Sequence, residues 1–339
     1  MKVVTFGEIM LRLAPEGYYR FFQSNKFEAT YGGGEANVAV SLSNYGVDAA
    51  FVSKLPQHAI GQGAVNDLRS LGVDTSKITR GGERVGIYYL EKGASQRASN
   101  VIYDRAYSAI ALAQKEDFNW PEILEGASWF HFTGITPALG KNVAEITLEA
   151  VKTARELGVT VSCDLNYRKK LWTTQEAQET MIKLAPYIDV LIANEEDAEK
   201  VYGIHSDATD VTSGTLNHDG YVDVARQLVE KFGFKVVNIT LRESISASDN
   251  NWSALHYRDN QAYFSKTYAL RIVDRVGGGD SFGGGIIYAM LNNYEPQEAI
   301  EFAVAASALK HSIEGDFNRV TLDEVKNLAK GDGSGRVQR

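Results

Sequence analysis

The sequence predicts an α/β fold: a mainly parallel sheet covered by helices on both faces, a three-layer α/β/α core, carrying a small inserted β-sheet as a lid. Three observations predict it. Short β-branched or aromatic runs alternate with segments of helical period, which implies parallel strands joined by right-handed crossovers. Most of those runs lack strict apolar–polar alternation, as strands covered on both faces should. Two aromatic-rich stretches break the rhythm, with no long helix between their halves.

In chain order, VVTFGE (3–8) reads as the first strand and EANVAVSLSNYG (35–46) as the first helix. AAFVSKL (49–55) is the next strand, followed by a helix over 60–72. WFHFTG (129–134) and TVSCDLN (160–166) are strands flanking a helix over 142–158. DVLIANE (189–195) and KVVNIT (235–240) flank a helix over 221–233. Several helices end in glycine, the residue that tolerates the left-handed conformation of a C-cap. The stretches 9–31 and 83–107 are the lid insertions, expected to be antiparallel strands. Residues 1–330 are thus expected to form one domain. The glycine-rich, polar end, 331–339, reads as a flexible tail with nothing to bury.

The 339 residues are 44% hydrophobic and 23% charged, the balance of a soluble globular protein. A net charge of −8 argues against nucleic-acid or anionic-membrane partners, though not against a small anion held locally. The single cysteine, Cys163, allows no intrachain disulfide and fits a reducing compartment. No window approaches the roughly 20 apolar residues of a membrane span, and the start reads as a strand and not a signal peptide. The expected location is cytoplasmic.

Common signatures are missing. GITPALGKN (134–142) spaces its glycines wrongly for a P-loop, and no G-x-G-x-x-G follows a strand, which removes the usual dinucleotide oxidoreductase. No H-E-x-x-H or cysteine pair suggests catalytic zinc. What remains is VDRVGGGDSFGGG (273–285), six glycines within nine residues before an apolar helical pattern. Each glycine in regular structure costs about 1 kcal/mol against alanine. A flexible loop and a plain aspartate N-cap are the simple readings. A helix N-terminus whose glycine backbone admits an anion, with Asp280 beside it, accounts for more of the pattern.

DRVGGGDSF (274–282) resembles the C-terminal signature of the ribokinase-like (PfkB) carbohydrate kinases, and YGGGEANVAVSLSNYG (31–46) resembles their N-terminal one. The resemblance runs from the first strand to about residue 325. It implies ATP-dependent phosphoryl transfer to a sugar hydroxyl, with Asp280 as base and the backbone of Gly277, Gly278, Gly279 and Asp280 as the anion hole. It also implies Mg2+ and, near Asp274, a monovalent cation such as K+; bracing the turn is the other role open to Asp274. Within the family the chain looks like the 2-keto-3-deoxygluconate kinases. Gly34, Asn37, Tyr89, Tyr103, Arg105, Arg168 and Asp316 match their sugar-contacting positions. An arginine fork suits a sugar-acid carboxylate, and Tyr103 and Arg105, two apart, share a strand face. Surface ion pairs with Asp104 and Asp164 are the alternative for the two arginines, and sheet packing for Tyr88 and Tyr89. On the nucleotide side the resemblance points to Asn166, Tyr167, Arg168, Asn194, Thr240 and Arg242.

Three departures stand out. The family's Asn-x-x-Glu, tied to magnesium through water, ends here in Asp197, one methylene shorter, so Glu196 is the other candidate. ITLRESISASDNNW (239–252) puts Arg242 and Glu243 where glycine is usual and reads as a solvated loop. Gly278 replaces an alanine. A kinase for a neutral ketose such as fructose, or for another sugar acid, is the second reading; a catalytically silent sugar- or nucleotide-binding regulator is the third. An aromatic-rich lid leaves apolar surface for a second copy, so a homo-oligomer, dimer or higher, is expected.

Overall fold

A computed structural model describes residues 1–205 and 218–333. The expected tail over 334–339 lies outside the described residues. The strands are β1 (Lys2–Phe6), β2 (Met10–Ala14), β3 (Glu28–Gly32), β4 (Asp48–Leu55), β5 (Ile78–Arg80), β6 (Ile87–Glu91) and β7 (Asn100–Asp104). They continue as β8 (Ala127–Thr133), β9 (Thr160–Asp164), β10 (Val190–Ala193), β11 (Val236–Ser244), β12 (Asp249–Arg258), β13 (Gln261–Phe264) and β14 (Tyr268–Arg271).

The main sheet runs β13-β12-β11-β10-β9-β8-β1-β4-β5, with β14 also paired to β12. From β5 to β11 every pairing is parallel. The first strand shows why it can be buried on both sides. Val4 and Phe6 face one core with Phe130, Phe132 and Trp120, while Val3 faces the other with Phe51, Val38 and Ile286. Helix Lys141–Glu156 covers the first face through Val143 and Ile146, and helices Gly34–Asn44 and Gly278–Leu291 cover the second. Each fully buried apolar side chain stabilises by about 1.5–3 kcal/mol, so both faces of the sheet help to hold it in place.

Two expectations change. The segment 239–252 is a hairpin and not a solvated loop: β11 runs on to Ser244, and Arg242 and Glu243 pair across the ladder with Trp252 and Asn251. Trp252 is buried at the turnaround, which gives the polar strand an apolar partner. The resulting β11–β12–β13 edge, with β14, is antiparallel.

The lid is a separate sheet, β3-β2-β6-β7. Its outer pairings are antiparallel as expected, but β2 and β6 run parallel. Both emerge from the same end of the main sheet, β2 directly after β1 and β6 after β5, so they share a direction.

Strand order reverses at β1, whose neighbours β4 and β8 continue to opposite edges. Clefts in such sheets open at that point, beyond the carboxyl ends of the strands. Among the described residues no helix is long and apolar enough to cross a membrane.

Candidate active site

A cleft of about 1750 Å³ opens between the lid and the carboxyl ends of β8–β11. One small ligand usually occupies roughly 300–1,000 Å³, so there is room for two. Its floor is the N-terminus of helix Gly278–Leu291, with Gly277 as N-cap in the left-handed region at φ 81°. Gly278 and Gly279 are therefore the first helical residues and not part of the entering turn, and Asp280 is third. Asp280 is no N-cap. Its Oδ2 instead accepts from Asn37 Nδ2 at 2.7 Å. Asn37 is held by helix Gly34–Asn44, whose first residue, Gly34, lies against Asp280 Oδ1: a Cβ there would be 3.4 Å away.

The backbone amides of Gly279 and Asp280 have no acceptor among the described residues, and Gly279 is exposed to the cleft. Two orphan N–H groups at the positive end of a helix dipole form a ready anion site. Burial pushes the Asp280 carboxyl up to about 7, Asn37 and Arg168 opposing and Glu35 and Asp316 adding to it. The second glycine triplet has another purpose. A Cβ at Gly284 would meet Ser41 at 2.9 Å and one at Gly285 would meet Ala303 at 2.7 Å, so these positions let neighbouring helices approach.

The structure brings most of the sequence-selected residues to this cleft: Gly34, Asn37, Tyr103, Arg105, Asn166, Tyr167, Arg168, Asn194, Thr240, Arg242 and Asp316 all line it. Tyr89 is not brought there. Its ring packs 6.1 Å from Phe27, while Tyr88, on the alternate face of β6, lines the cleft and donates from its hydroxyl to Asp316 Oδ1 at 2.6 Å.

The two arginines differ. Arg105 is buried and gives Nε (2.8 Å) and Nη2 to Glu8 Oε2, while Ser108 donates to Glu8 Oε1 at 2.5 Å. Its partner is thus Glu8 and not Asp104, which pairs with Arg84. Arg105 also lies 5.5 Å from the Tyr103 ring centre, as the shared strand face predicts. Arg168 donates only to the Tyr167 carbonyl, at 3.0 Å, and forms no carboxylate ion pair among the described residues.

Three carboxylates lie at the β9–β10 end. Asp164 is raised well above the ordinary range by burial and by the charges of Asp197 and Asp280. Asp197 is buried, with Oδ1 accepting from the Tyr167 amide and Oδ2 from Asn194 Nδ2. Glu196 is exposed to the cleft. These hard oxygen donors fit Mg2+, with Glu196 the more available of the two predicted residues. Among the described residues no group of three or more His, Cys, Asp or Glu side chains is close enough to enclose an ion directly.

Asp274 braces the turn, the other role open to it. Its Oδ1 accepts from the Val276 amide at 3.1 Å, and its Oδ2 from the Gly315 amide at 3.2 Å and Arg12 Nη2 at 2.5 Å.

Sequence reasoning passed over several participants. Glu35, fully buried, accepts from the Thr133 amide and the Thr133 and Thr136 hydroxyls, fixing the first helix against β8. Arg275 and His311 line the cleft beside the glycine turn. Burial pushes His311 down to about 4, so it is neutral, and its ring sits 5.3 Å from Trp252. The imidazole also explains Gly278: an alanine Cβ there would be 2.4 Å from His311 Cε1.

A cleft with room for two ligands, floored by free helix amides with a carboxylate beside them, has the parts that moving a phosphoryl group between small molecules requires. The chain belongs to the pfkB family of carbohydrate kinases, whose family model matches residues 1–318. It is 34% identical to 2-dehydro-3-deoxygalactonokinase of Haloferax volcanii, over 98% of both chains. It is 55% identical to the crystal structure of 2-dehydro-3-deoxygluconokinase from Thermotoga maritima, with a TM-score of 0.94 and 98% of each chain covered. An Escherichia coli structure carrying the name ribokinase II, in complex with ATP and Mg2+, shares the fold at 20% identity, with a TM-score of 0.81 over 97% of this chain and 99% of that one.

Proposed function

We propose that the chain transfers the γ-phosphoryl group of ATP to the terminal hydroxyl of 2-keto-3-deoxygluconate, giving the 6-phosphate. The observation that carries the reading is the pairing of free Gly279 and Asp280 amides with an Asp280 carboxylate held by Asn37. The acceptor oxygen attacks the γ-phosphorus, Asp280 takes its proton, the bond to the β-phosphate oxygen breaks, and ADP leaves. Charge gathering on the transferred group is met by amides already aimed at it, at no reorganisation cost. Mg2+, held through water by Glu196 and Asp197, would neutralise phosphate charge. The nucleotide lies toward Thr240, Arg242 and Arg275, the sugar toward Tyr103 and Arg168.

Arg168 is the main carboxylate anchor, because Glu8 already uses two donor positions of Arg105. Arg168→Ala is expected to raise KM for the sugar acid about 10- to 100-fold, the worth of a charged hydrogen-bonded pair. Its KM for a neutral ketose such as fructose should change less than about threefold. ADP release over both substrates measures this, and equal losses would defeat carboxylate recognition. Similarity to the Haloferax enzyme supports a second reading, the galactonate epimer; comparing kcat/KM for the two epimers decides between them.

A further inference from the structure

The region where the resemblance implies a monovalent cation already holds fixed cations. Arg12 is 3% exposed and bridges two carboxylates, Asp274 through Nη2 and Asp316 through Nη1. These residues belong to three separate parts of the chain: Arg12 to β2 in the lid, Asp274 to the segment entering the glycine turn, Asp316 to the loop after helix Pro296–Lys310. Lys310 is fully buried, faces the same cluster and donates to the Ile313 carbonyl at 3.1 Å. Two acidic side chains thus meet two basic ones. Of the backbone oxygens nearby, His311 O accepts from the amides of Val273 and Asp274, and Ile313 O from Lys310.

The cluster reaches the chemistry through Gly277, which abuts the Asp316 backbone: a Cβ there would be 2.1 Å from Asp316 O. Any shift of the Asp316 loop against Asp274 therefore moves the N-cap of the anion-binding helix. A buried charge left unpaired here would be strongly unfavourable.

We propose that Arg12, with Lys310, stands where a bound monovalent cation would otherwise sit, so that this kinase positions its anion hole without K+. Arg12 is a positioning residue in this scheme and touches neither substrate. Burial alone would lower its pKa, but Asp274, Tyr88 and Asp316 raise it overall, which keeps the guanidinium charged. The proposal rests on the kinase reading for its activity arm alone.

The test has two independent arms. The melting temperature of the full chain is measured in KCl and in tetramethylammonium chloride at equal ionic strength. A difference below about 1 °C is expected, and a clear rise in KCl would show a bound ion and overturn the proposal. ADP release under the same conditions should change less than about twofold, and activation beyond about tenfold would overturn it. Arg12→Ala is expected to lose turnover and regain part of it with K+, with no such response to tetramethylammonium. A folded Arg12→Ala indifferent to K+ would remove the claim that the guanidinium replaces an ion. If that variant does not fold, the wild-type melting comparison still decides. If no sugar releases ADP, the functional reading fails while the melting comparison stands.

Discussion

Asp280→Asn is expected to lower kcat by about three orders of magnitude while binding of sugar and nucleotide stays measurable, the range lost when a positioned general base is removed. Asparagine keeps the shape and can still meet Asn37, whose Nδ2 donates to the present carboxylate at 2.7 Å. What it loses is the capacity to accept the sugar's proton. The pH profile gives a second reading of the same group. Burial pushes Asp280 up to about 7, so kcat/KM should fall as pH drops below that point, when the base becomes protonated. A variant with near wild-type turnover, or a flat profile between about pH 5 and 8, would end the assignment.

The same shift makes a prediction about stability that needs no substrate. The folded state holds a proton on Asp280 up to about pH 7, whereas the unfolded chain releases it near 3.8. Between those values the folded protein binds more protons, so stability falls as pH rises. The loss is absent below the unfolded pKa and complete above the folded one. Asp280→Asn, neutral throughout, should therefore be stabilised relative to wild type at about pH 8, by an order of 1–3 kcal/mol, and much less at about pH 4. Equal gains at both values would show that the carboxyl is not perturbed.

Local backbone signals made the cleft floor legible. A glycine run before an apolar helical period can be read in one window, and the succession of strand and helix segments can be read along the chain. Side-chain partners across the chain could not be read. Arg12 finds Asp316 at a separation of 304 residues, and nothing near MLRLA names that partner. A signal was present nonetheless: Met10, Arg12 and Ala14 share the buried face of β2, and an arginine on such a face needs carboxylates. Resemblance alone selects Tyr89 over Tyr88, and strand parity, which decides which of two neighbours faces the cleft, is reversed by a one-residue shift of register. The β11–β12 hairpin was missed because its polar residues suggested a loop, while the burial of Trp252 and the ladder to β12 were tertiary facts.

Substituting Gly277, Gly278 and Gly279 singly by alanine is expected to give graded, not uniform, losses, because each Cβ would meet a different environment. At Gly277 it would sit 2.1 Å from the Asp316 carbonyl oxygen, on a residue at φ 81°. Backbone cannot swing aside as a side chain can, and the left-handed conformation adds about 1–2 kcal/mol of its own. Gly277→Ala should therefore lose more than about 3 kcal/mol by urea denaturation, and nearly all turnover. At Gly278 the obstacle is the His311 ring, 2.4 Å from the new atom. An imidazole can rotate, so the loss should be about 1–3 kcal/mol, and Gly278→Ala/His311→Ala should recover part of it as a favourable coupling. At Gly279 a Cβ meets nothing within 4 Å. Gly279→Ala should melt like wild type, yet under the proposed function its methyl enters the space given to phosphate, so KM for ATP should rise. Equal destabilisation at all three positions, or an unchanged KM in Gly279→Ala, would mean that the turn is shaped for folding alone and holds no phosphate.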